Sequence, residues 1–184
     1  MYKNCQTEQA SKRQRELEAG LLQLMLRKNY EDITVSDLCE YMQIPRKSFY
    51  RYFSGKEGAL YSLIDHTLED FYRMPVPAPK SRGNAVGDLD LFFAFWYDNK
   101  LLDALQRNSL SGILVERANR FALREGFFPQ KFKAIPEQTR EIGLSFAVCG
   151  LMAMTLSWHS QGFPISPDEM TRLAMGMLTT PLLG

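Results

Sequence analysis

The residues able to do acid, base, nucleophilic or metal chemistry are few and scattered. There are two histidines, His66 and His159, and three cysteines, Cys5, Cys39 and Cys149, with no C-x-x-C spacing. Zinc frameworks and disulfide scaffolds need clustered ligands, so such dispersed thiols read as the reduced cysteines of a cytoplasmic protein. Only Cys149 and His159 share a helical pattern as nucleophile and base. They lie ten residues apart, about 15 Å along a helix, too far to pair. No catalytic group, metal or cofactor is expected. What remains suits binding. Arg46, Lys47, Arg51 and Lys56 carry positive charge across 46–56 with no acid among them, interleaved with Phe49, Tyr50, Tyr52 and Phe53. Phe49 and Phe53 sit four apart on one helical face and are expected in the core, which leaves Tyr50 on another face, free to act.

The elements that must position this run are helical. Apolar residues recur at helical spacing almost throughout, and strand signals are nearly absent. A first helix is expected over about 11–28, with Asn29 as a left-handed cap. Thr34 with Asp37 caps a short helix over about 35–42. Gln43-Ile44-Pro45 then forms a tight turn into a third helix over about 46–52, and Ser54 with Glu57 opens a fourth that runs to about 73. Helix, short helix, tight turn, short helix is the helix-turn-helix layout. The segment 74–83, MPVPAPKSRG, breaks the pattern and links to further helices over about 87–97, 98–107, 110–125, 137–161 and 167–179. Phe127-Phe128-Pro129 and Ile135-Pro136 bound a loop, and Ser166, Pro167 and Glu169 write a capped start for the last helix, with Ile165 and Met170 as its staple. The expectation is an all-α chain: a helix-turn-helix domain over 1–58 and a larger helical bundle domain over 59–184.

Composition agrees with a globular domain: 184 residues, 45% hydrophobic and 23% charged, net charge +1. The balance hides a local bias, since 1–58 holds ten Lys and Arg against eight Asp and Glu. A local basic stripe is what displaces counterions from phosphates, so a neutral total does not forbid nucleic-acid binding. No run of about 18 uninterrupted apolar residues marks a membrane span, and the N-terminus lacks a signal-peptide core. A cytoplasmic protein without a membrane partner is expected.

The stretch from Ile33 to Leu60, ITVSDLCEYMQIPRKSFYRYFSGKEGAL, resembles the DNA-binding domain of the TetR family of transcriptional regulators, whose helix-turn-helix ends in F-Y-x-Y/H-F-x-x-K-E-x-L. On that resemblance double-stranded operator DNA is the partner. Arg46 and Lys47 open the recognition helix, where an arginine can bind guanine in a bidentate way, and Ser48 lies on the same turn. The resemblance implies that Tyr50 and Tyr52 reach DNA, Tyr52 on phosphate, and that Lys56 contacts phosphate beside a helix N-terminus. Thr34 stands at a comparable helix start, and Arg51 faces the groove or its wall. Three positions depart from the family pattern, and at the first of them Met42 stands where a small residue is usual. Gln43 stands where glycine is usual, which requires a left-handed backbone or an altered turn, and Pro45 replaces the usual polar cap.

In the long helix, Gly143, Ala147, Gly150 and Ser157 form a small-residue stripe suited to close approach of another helix, while Ile142, Phe146, Cys149, Met152 and Leu156 are expected to face the protomer's own core. Met170, Leu173, Met177 and Leu178 lie beside Gly176 on the last helix. In the resembling family the last two long helices form a four-helix dimer interface, which makes Gly143, Ala147, Gly150, Ser157, Met170 and Met177 interface candidates in a homodimer on a palindromic operator. Family members commonly bind a small molecule between these helices and release DNA. Phe92, Trp96, Met152 and Trp158 are the pocket candidates, and their apolar lining suits an apolar inducer. The leading expectation is a ligand-released repressor. The alternative is a non-enzymatic interaction protein of the same fold that responds to a protein partner.

Overall fold

The computed structural model describes residue 2 and residues 7–75, 85–125 and 136–179. Most of the proline-rich link, most of the loop bounded by Phe127 and Pro136, Cys5 and the side chain of Leu178 lie outside the described residues.

Every regular element among the described residues is helical. Helix α1 (Glu8–Met25) starts at Thr7, whose side chain accepts from the Ala10 amide at 3.3 Å. It ends at Leu26, whose amide bonds back to Leu22, so Asn29 is not the expected left-handed cap. Asn29 instead has φ −63° and leads into a 3-10 turn, Tyr30–Asp32. Helix α2 (Val35–Tyr41) carries the expected box, in which Thr34 and Asp37 satisfy each other's backbone amides. Helix α3 (Arg46–Phe49) is shorter than its sequence pattern, the chain continuing as turns to Tyr52. Helix α4 (Lys56–Arg73) has Gly55 in the N-cap position, one residue later than expected.

Gly20 explains how closely α1 and α2 pack. A Cβ there would stand 2.4 Å from Met42 Sδ and 3.3 Å from Leu38 Cδ1, so any larger residue requires the Met42 side chain to shift.

The second half comprises α5 (Ala85–Trp96), α6 (Lys100–Arg107), α7 (Ser111–Glu125), α8 (Glu137–Ser160) and α9 (Pro167–Thr179). Ser166 and Glu169 form the expected box at the start of α9, and Ile165 packs with Met170. One core runs through Leu17 and Leu21 of α1, Leu60 and Ile64 of α4, Leu102 and Leu105 of α6, and Met152 of α8. A smaller one joins Leu89 and Phe93 of α5 to Trp158, Met170 and Ala174. The helix-turn-helix unit therefore shares its apolar interior with the second half, and a buried pair reinforces the junction. Arg117 of α7 grips both oxygens of Asp65 on α4, its Nε at 2.6 Å from Oδ1, and Tyr2 donates to the same carboxylate.

Helix α8 corrects the sequence reading. Its buried residues are Leu144, Met152, Thr155 and Trp158. Ile142 and Phe146, expected in the core, are 69% and 71% exposed. They share an outward face with Gly150, Ala153 and Ser157, whereas Gly143 and Ala147 are half-buried at its margin. The contacts with α7 take the face one residue round from the small-residue stripe. Met170 is also corrected: the capped start of α9 turns it inward beside Ile165, and it is buried, while Leu173 and Met177 are exposed. Helix α8 is the one described helix long and apolar enough to cross a bilayer, and most of that stretch lies uncovered.

Candidate nucleic-acid interface

The turn between α2 and α3 closes as a Schellman motif. Ile44 N donates to Cys39 O at 2.9 Å and Gln43 N to Glu40 O at 3.0 Å, with Gln43 at φ 52°. The turn thus keeps its geometry by holding a glutamine in the left-handed region. Pro45, extended at φ −63°, starts α3 without a side-chain cap. Its carbonyl accepts from Ser48 N at 2.8 Å. The recognition segment is then pinned from beneath. Phe49 and Phe53 are fully buried with ring centroids 5.2 Å apart.

That anchoring determines what points outward. Arg46, Lys47, Tyr50 and Arg51 are exposed on one short segment, while Ser48 and Tyr52 are half-buried. Arg46 Nη2 donates to Tyr50 Oη at 3.4 Å, so the guanidinium and the phenol stand together one turn apart. Such an edge offers fork-like donors for base edges or phosphates and a phenol for phosphate oxygen.

Two expected contacts are arranged differently from a free donor. The Thr34 hydroxyl donates to Asp37 Oδ2 at 2.8 Å and accepts from Asp37 N at 3.0 Å, so it serves the cap of α2. Backbone and side-chain hydrogen bonds from Thr34 hold the Asp37 carboxyl below the usual carboxylate range, aided by Lys28. Lys56 Nζ donates to Tyr30 O at 2.6 Å and Glu31 O at 3.1 Å and lies 4.3 Å from the Tyr30 ring centroid. An ammonium has three N–H groups, so one remains for a phosphate. Sequence reasoning missed the Tyr30 turn as the lysine's seat, because nothing local couples residues 26 positions apart.

The pocket candidates are packed side chains. Trp96, Met152 and Trp158 are buried, and Phe92 is half-buried against both cores. Phe93 bridges Phe92, at 5.2 Å, and Trp158, at 5.9 Å, edge to face. A cleft of about 540 Å³ lies elsewhere, between the Tyr30 turn, the start of α4 and residues 107–110, and none of the four lines it. His159 meets Asp103 Oδ1 at 2.7 Å and Gln106, tying α8 to α6, and no group of metal ligands occurs among the described residues.

Residues 19–60 match the family model for bacterial regulatory proteins of the tetR family. That segment is a TetR-family helix-turn-helix. The match supports a DNA-binding transcriptional regulator rather than an enzyme. Solved structures share its fold along most of the chain. A dihydroxyacetone kinase operon activator, DhaS, is 16% identical with a TM-score of 0.60, over 90% of this chain and 93% of its own. The fatty acid degradation regulator FadR from Bacillus halodurans is 14% identical with a TM-score of 0.59, over 98% and 99%. A tetR-family regulator from Streptomyces coelicolor is 19% identical with a TM-score of 0.54, over 89% and 78%. No curated protein matches the sequence. The match covers the edge described above, and the TetR-family helix-turn-helix here uses Gln43 and Pro45 without losing its turn.

Proposed function

We propose that the chain is a cytoplasmic homodimeric repressor that binds a palindromic operator and leaves it when a small apolar ligand binds. In this reading residues 1–58 read DNA and residues 59–184 dimerise and sense. Arg46, Lys47 and Ser48 meet base edges or the adjoining backbone. Tyr50, Arg51 and Tyr52 line the groove wall. Lys56 and the amides beside Thr34 hold phosphate. The observation that carries it is the exposed Arg46–Arg51 edge mounted on the buried Phe49 and Phe53.

The dimer face is the outward side of α8 with α9: Ile142, Phe146, Gly150 and Ser157, flanked by Gly143 and Ala147, with Leu173 and Met177. Contiguous apolar surface of this kind is costly to leave in water. Burying it in a second copy accounts for the apolar length of α8 and places two reading edges about a two-fold axis. The effector enters at the seam between the two cores, where Phe92 touches both, and displaces packing among Trp96, Met152 and Trp158. Selecting duplexes from a random-sequence pool tests the whole reading: enriched inverted repeats support it, and enrichment of no sequence contradicts it.

A further inference from the structure

Tyr30 is held from two sides by residues far away in the chain. Its amide donates to Asn108 Oδ1, while its carbonyl accepts from Lys56 Nζ at 2.6 Å. Asn108 sits at the C-cap of α6 and spends its whole amide on this junction. Its Nδ2 donates to Met25 O at 3.1 Å, the end of α1, and to Ala104 O at 2.7 Å in its own helix. The end of α6 is itself a Schellman closure. Leu110 N bonds to Leu105 O at 2.8 Å and Ser109 N to Gln106 O at 3.0 Å, with Ser109 at φ 57°. Asn108 is thus presented by a fixed turn rather than a loose loop.

Besides the shared apolar core, the Asp65–Arg117 pair joins α4 to α7. A second pin at the Tyr30 turn, just ahead of the α2 cap at Thr34, sets the angle. The Lys56 contact passes that setting to the start of α4 and onward to the segment that precedes it, Phe49–Phe53.

We propose that Asn108 is a positioning residue for DNA recognition: it fixes the Tyr30 turn to α6, so that the tilt of the reading edge follows the position of α6. The inference rests on the DNA-binding reading above. Asn108 touches no DNA in this account, so its loss lowers affinity without removing a phosphate contact.

The test is anisotropy titration of a selected operator duplex at several salt concentrations, well below the melting temperature. Asn108→Ala is expected to weaken binding roughly tenfold, within the usual range of coupling between sites, with an unchanged salt slope. Affinity like that of the unmodified protein in Asn108→Ala would overturn the inference alone. So would a slope reduced by about one, which marks a lost phosphate contact. Should Asn108→Ala fail to fold, amide exchange on the unmodified protein decides. The Tyr30 amide must be protected, and exchange at an unprotected rate would overturn the proposal. No sequence-selective binding by the unmodified protein would instead overturn the DNA-binding reading, and this inference with it.

Discussion

Replacing Phe146 by alanine is the sharpest test of the proposed dimer. The ring is 71% exposed in the protomer. A phenylalanine buries about 200 Å² when covered, so some 140 Å² per protomer is available to an interface. At about 25 cal/mol per Å² that is worth ~3.5 kcal/mol, of which truncation to a methyl group loses roughly 2.5 kcal/mol. A two-fold axis presents the side chain twice, which brings the loss to about 5 kcal/mol per dimer. With 1.4 kcal/mol per tenfold, the dissociation constant is expected to rise by roughly 10³ to 10⁴. Sedimentation equilibrium over a concentration series measures this directly, and Tyr50→Ala, on the opposite module, serves as the control with an unaltered dimer constant. Helical content should be the same in both variants. A Phe146→Ala protein that dissociates like the unmodified one, or an unmodified protein that is already monomeric at micromolar concentration, would refute the interface.

Gln43→Gly removes a left-handed glutamine that costs about 1–2 kcal/mol, partly offset by the greater freedom of glycine in the unfolded chain. A net gain of roughly 0.5–1 kcal/mol should raise the melting temperature by a few degrees, and a lower one would mean the turn is not strained. Gly20→Ala places a Cβ 2.4 Å from Met42 Sδ, so it is expected to destabilise by about 1–3 kcal/mol despite better helix propensity, and Gly20→Ala with Met42→Ala should lose less than the sum of the two. Chemical denaturation resolves both, and strict additivity would contradict the close approach of α1 and α2. The capping carboxylates Asp37 and Glu169 titrate below their ordinary range because backbone and side-chain bonds from Thr34 and Ser166 favour their charged forms. As pH falls, the unfolded chain takes up these protons first, so their stabilisation is complete above the ordinary carboxylate values and is lost from about pH 4 downward. Asp37→Asn should flatten that acid limb in a series of denaturation curves, and an unchanged limb would count against the box.

Local signals were legible and distant ones were not. The Thr34–Asp37 and Ser166–Glu169 boxes join residues three apart, and both form as expected. Phe49 and Phe53, four apart, are buried as their spacing requires, and the strained Gln43 follows from the turn the motif demands. The phase of helix α8 is not legible in the sequence, because a 24-residue helix apolar on nearly every side offers no polar stripe to mark which face α7 covers. Ile142 and Phe146 look like core residues in the sequence for that reason. Asn29 failed as a cap because α1 stops before reaching it. The seat of Lys56 and the grip of Asn108 on Tyr30 depend on partners 26 and 78 residues away, a separation that no periodicity records.

The central claim is that the Arg46–Arg51 edge and Lys56 read a specific duplex. Fluorescence anisotropy with a selected operator and a scrambled duplex of equal length, at two salt concentrations, tests it most directly. The expected result is tight binding to the operator by two protomers, weak binding to the scrambled duplex, and a Lys47→Ala variant whose salt slope is smaller by about one. Equal binding to both duplexes, with the same slope in the variant, would contradict it.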